Sequence, residues 1–136
     1  MTNRDLAKRY ITKATKRLKV LHLLKEDGFY YEVTLEAKDA IELALKGMLI
    51  KLKIEPAKQQ DIGHLILKYR MNLPKEVAQN VDRLVSIYKW HPHETTCNFW
   101  GCCVIKTIEN YDEKDAQLSI KNAEFVVEMG QLVIKP

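Results

Sequence analysis

The chain has 136 residues, 46% hydrophobic and 29% charged, which suits one ordinary globular domain over residues 1–136 with no need of a disulfide or metal for its core. No apolar run approaches the roughly 18 residues of a bilayer span, and Met1-Thr2-Asn3-Arg4-Asp5 leads into charged sequence without a signal stretch, so a cytoplasmic protein with no membrane contact is expected. The net charge of +4 hides an asymmetry: residues 1–25 hold eight cations against Asp5 alone, whereas residues 107–128 hold two lysines against six carboxylates.

In chain order, the first expected helix runs from about Asn3 to Lys25, with Leu6, Tyr10, Ala14, Leu18 and Leu21 on one apolar face. Gly28 is placed to end it. The second runs from about Phe29 to Lys53, with Val33, Ala37, Ala40, Ile41, Ala44, Leu45 and Met48 on one stripe. Its small residues, Gly47 among them, allow a partner helix to come close, and Glu55-Pro56 stops it because proline disfavours helical geometry in the residue before it. Asp61 is a cap for a short third helix that buries Ile62, Leu65, Ile66 and Tyr69. Pro74 suits the first turn of a fourth, whose stripe is Val77, Val81, Leu84, Val85 and Tyr88 and which His91-Pro92-His93 breaks. Residues 93–110 are dense in Phe99, Trp100, Cys102, Cys103, Val104, Ile105 and Ile108 without clean periodicity, and predict a bent connection with a short buried helix. Asp112 caps a last helix with Ala116, Ile120, Ala123 and Val127 inward. Nothing alternates at the period of two that a strand requires. The expectation is an all-α, up-and-down bundle of about five helices.

Gly28-Phe29-Tyr30, followed by Val33, Ala37, Ala40 and the run Glu42 to Leu49, resembles the signature of the HEPN domain family. Asp61-Ile62-Gly63-His64-Leu65 is similar to the family's short third helix, and Tyr111 to Ala116 with Ala123 to its last. The resemblance covers almost the whole chain in the right order. It implies a four- or five-helix bundle that usually forms a homodimer. It also implies either a module that binds nucleotide or RNA, in some members beside a nucleotidyltransferase on a separate chain, or a metal-independent RNase of the toxin type. The RNase members carry an Arg, four to six residues, then a His, toward the end of the fourth helix. The His transfers the proton and the Arg steadies the phosphate. No cofactor is implied. A third alternative is a structural dimerisation module that binds another protein.

Arg83 and His91, with His93 beside it, are the nearest match to that catalytic pair, although seven residues separate Arg83 from His91. Along an unbroken helix that step turns about 80° beyond two full circles, so the side chains do not stack unless Pro92 turns the chain back. Arg17 and His22 have the family spacing but lie in the wrong helix. His91, His93, Cys97, Cys102 and Cys103 offer zinc-binding atoms, but no CxxC pair is present, and Cys102 and Cys103 also suit a buried apolar role. Arg9, Lys13, Lys16 and Arg17 form a basic stripe that suits phosphates. They suit equally a solvated face, or pairing with the acidic last helix. His64 joins the binding set by its place in the family pattern. No glycine-rich phosphate loop and no supported Ser/His/Asp order occurs.

Overall fold

The computed structural model describes residues 2–55, 61–90 and 110–135, with the side chain of Trp90 left aside. Six α-helices and no strand occur among the described residues: α1 (Asn3–Glu26), α2 (Tyr30–Lys51), α3 (Ile62–Lys68), α4 (Lys75–Ala78), α5 (Val81–Trp90) and α6 (Glu113–Ile134), with a 3-10 turn at Arg70–Asn72. None of these helices is long and apolar enough to cross a membrane.

Side chains and turns fix the ends of the long helices. Thr2 accepts a bond from the Asp5 N–H while the Asp5 carboxylate accepts from the Thr2 backbone, and Asp112 and Asp115 repeat this reciprocal cap on α6. Both boxes use Asp at the third helical position, one methylene shorter than the usual Glu. At the C-terminus of α1, Gly28 takes φ +81°, its N–H bonds the Lys25 carbonyl, and the Phe29 N–H reaches back to Leu24. This is a Schellman turn, and the left-handed residue it needs favours glycine. An equivalent turn ends α2, where the Ile54 N–H bonds the Leu49 carbonyl and Lys53 takes φ +64°. The second helix thus stops at Lys51, ahead of Glu55-Pro56, because the backbone has already closed on itself.

Three long helices make the core. Lys25 Nζ donates to Gln117 Oε1 and Gln131 Nε2 to Thr15 Oγ1, so α6 runs antiparallel to α1. Thr34 and Ser119, both buried, share a hydroxyl–hydroxyl bond of 3.3 Å near the start of α2 and α6. These two helices are parallel, since Ala44 and Gly130 also meet near their far ends. The tightest point is Ile11, which is 2% exposed. Its Cδ1 would lie 2.8 Å from a Cβ placed on Gly47 and 2.6 Å from one on Gly130. Ile11 therefore fills a notch that exists because both facing residues lack a side chain. The apolar face expected for α1 is rotated: Ala7 and Ile11 are buried, whereas Leu6 is 36% exposed.

The smaller helices extend this core. α3 and α5 pack on each other and against α2, and α4 touches α6. Gly63 permits the approach of α3, for a Cβ there would sit 3.3 Å from the Tyr88 ring and 3.6 Å from Val85. Asp61 caps α3 by accepting from the Gly63 N–H at 3.0 Å. The fourth helix expected from sequence is two helices. Pro74 is the N-cap residue of α4, not part of its first turn. The chain turns at Gln79-Asn80, where the Asn80 side-chain Nδ2 donates to the Glu76 carbonyl and the Asn80 backbone carbonyl receives the first bond of α5, from the Leu84 N–H. The apolar stripe nonetheless passes through the break: Val77, Val81, Leu84 and Ile87 are all buried, Ile87 taking a place that sequence spacing had assigned to its neighbour Tyr88.

Candidate functional site: the basic face of α1

One side of α1 is spent on packing and the other faces solvent. Arg9, Lys13, Lys16 and Lys19 are all exposed there, and none has a carboxylate within ion-pair distance among the described residues. The carboxyl of Asp5, at the start of this helix, is occupied by the cap. Its pKa is held below the ordinary carboxylate value, chiefly by the bond from the Thr2 hydroxyl. An exposed, unneutralised row of cations over several turns is a ready electrostatic footing for phosphates.

Arg17 does not belong to that row. Its Nη1 meets Glu36 Oε2 of α2 at 2.6 Å, with both side chains about two-thirds covered. This pair ties α1 to α2, and an exposed pair of this kind contributes up to about 1 kcal/mol. Of the residues expected to bind phosphate, Arg9 and Lys13 stand together with Lys16, and Arg17 is engaged. Lys19 is added by the structure. Its sequence signal was the same basic run, and what hid it was the rotation of the helix set by Ile11.

His64 and Arg83 are exposed and lie elsewhere. His64 sits on α3, whose Gly63 faces Val85 and Tyr88 of α5. Arg83 precedes Val85 by two residues and therefore points about 160° away around the helix. Its guanidinium carbon lies 3.7 Å from the centroid of the Phe125 ring on α6. That stacking contributes about 0.5–1 kcal/mol at an exposed site, and no carboxylate among the described residues pairs with the charge. The structure thus separates Arg83 from His64 by the width of α5. His91, His93, Cys97, Cys102 and Cys103 fall outside the described residues. Among the described residues no group of His, Cys, Asp and Glu could hold a metal ion.

Where α2, α3 and α5 meet, Tyr88 is half-buried. Its hydroxyl is pushed above the ordinary tyrosine pKa first by burial and then by the charges of Glu42 and Asp61. It remains a neutral donor across the physiological range. This junction was hidden in the sequence because three distant segments build it.

The model of the HEPN domain family matches residues 7–133. A crystal structure of an archaeal HEPN homologue shares the fold, with a TM-score of 0.62 at 24% identity over 95% of this chain and 98% of that one. No curated protein matches.

Proposed function

Because the chain belongs to the HEPN domain family, we propose that it acts as a module that binds the phosphates of a nucleotide or RNA through the exposed face of α1. The observation that supports this most directly is the row Arg9, Lys13 and Lys16, which has no carboxylate partner among the described residues while the opposite side of the same helix is buried. Packing does not require these charges, so they are available to a ligand. A homodimer, or a complex with a nucleotidyltransferase on a separate chain, is part of this reading.

The test is a melting and retention assay with ATP, GTP and labelled RNA. Binding should raise Tm by mass action. Arg9→Gln/Lys13→Gln/Lys16→Gln should abolish that shift without lowering the Tm of the free protein. An unchanged shift in the triple variant sinks the reading.

One observation favours a second reading, cleavage. Arg83 keeps an exposed guanidinium, with no carboxylate partner among the described residues, on the helix that leads into His91 and His93. In that case Arg83 holds the phosphate and His91 or His93 transfers the proton. The RNA arm of the assay decides it: cleavage must survive EDTA and vanish in His91→Ala/His93→Ala.

A further inference from the structure

The seam between α1 and α6 holds two open hollows of about 560 and 390 Å³ that share Lys8, Gln131 and Ile134 and so form one continuous groove. Arg4 and Lys135 stand at one end, and Lys16 and Lys19 at the other. Among the described residues the lining contains five cations and one carboxylate, the capping Asp5. Ile11 and Ile134 supply an apolar floor. Gln131 is held across it by its bond to the Thr15 hydroxyl, which in turn donates to the Ile11 carbonyl. The exposed carboxylates Glu124 and Glu128 of α6 do not line it.

We infer that this groove is a track for the backbone of a single-stranded polynucleotide, read without regard to base sequence. This rests on the proposal that α1 binds phosphates, and it assigns the class of ligand and the path. The spacing of the cations argues for a strand over a mononucleotide. From Arg4 to Lys19 the helix advances about 22 Å at 1.5 Å per residue. A triphosphate needs cations or backbone N–H groups that converge on one point, and here they are strung out. A chain of regularly spaced phosphates meets Arg4 and Lys135, then Lys8, then Lys16 and Lys19 in turn, over roughly four nucleotides. Among the described residues no aromatic side chain lines the groove, so they offer no platform for a nucleobase and no means of selecting one. Binding is then electrostatic, through counterion release, and its strength falls with salt.

Fluorescence anisotropy with labelled oligouridylate and oligodeoxythymidylate tests this on the intact protein. Affinity should rise with length up to about four or five nucleotides per site and then level off. Both sugars should bind, with a log–log salt slope of about −3 for four or five contacts. Lys8→Gln/Lys19→Gln changes two exposed groove residues that lie outside the set used to test phosphate binding. It should weaken the octamer roughly tenfold and flatten the slope by about 1.4, with Tm unchanged. Three results overturn the track. One is binding of ATP as tight as that of the octamer. Another is a duplex of the same length held as tightly as the strand. The third is full affinity in Lys8→Gln/Lys19→Gln while Arg9→Gln/Lys13→Gln abolishes binding, in which case the α1 reading survives and the groove does not. Absence of all nucleotide and strand binding overturns both.

Discussion

The bundle joins two kinds of helix packing. Where α1, α2 and α6 meet, close approach is obtained by deleting side chains: Gly47 and Gly130 face a single large residue, Ile11, which has almost no freedom to shift. Where α3 meets α5, a glycine again admits a neighbour, but Gly63 faces the edge of a half-buried ring at 3.3 Å on a helix of seven residues. The first contact is deep and over-determined, the second shallow and adjustable. Equal-looking glycines therefore carry unequal weight, and what decides it is whether the opposing atom can move.

The sharpest way to break that comparison is at Ile11. Ile11→Ala empties the notch and should cost about 3 kcal/mol, read as a Tm drop of roughly 10 °C. Gly130→Ala overfills the same notch and should cost about 1–3 kcal/mol despite the better helix propensity of alanine. Ile11→Val removes the Cδ1 that the new methyl meets, so it should restore much of that loss, and a double-mutant cycle should show coupling of the compensating sign. If Gly130→Ala is neutral alone, the notch is not tight. Gly63→Ala, by contrast, should stay within about 1 kcal/mol of the parent, the gain in helix propensity offsetting a small displacement of Tyr88. A loss as large as that of Gly130→Ala would erase the distinction between the two regions.

Much of the fold was legible in the sequence because its strongest signals are local. The stripe from Val33 to Met48, the caps at Asp61 and Asp112, the stop at Gly28 and the inward face Ala116 to Val127 all read directly, and all stand in the structure. The orientation of α1 did not, since Leu6 and Ala7 compete for the same stripe and only the glycines of α2 and α6, distant in sequence, choose Ile11 as the centre. The break at Gln79-Asn80 was hidden because the apolar period continues across it. Of the candidate site, the charge run was visible. Which cations would be free was not, because the pairing of Arg17 with Glu36 spans two helices.

Two smaller effects sharpen the contrast at the periphery. Arg83→Ala removes the guanidinium stacked on Phe125 and should cost about 0.5–1 kcal/mol in chemical denaturation, whereas Arg83→Lys should recover part of it. At the α2–α3–α5 junction, Tyr88 should ionise above the ordinary tyrosine value in a spectrophotometric titration. A raised pKa favours the neutral phenol in the folded state, so this contribution to stability is intact below pH 10, the ordinary tyrosine value, and is lost as pH rises through the folded-state value. Glu42→Gln should bring the transition part of the way back toward the ordinary value, leaving the larger effect of burial. A Tyr88 that titrates at the ordinary tyrosine value would show that the junction is open to water.

Ile11 also works as a detent. Sliding α1 by one turn along its neighbours would bring Ala7 or Thr15 to the notch, exchanging a filled socket for an empty one or for a side chain too short to fill it. Axial movement of α1 is thereby opposed in both directions by one side chain.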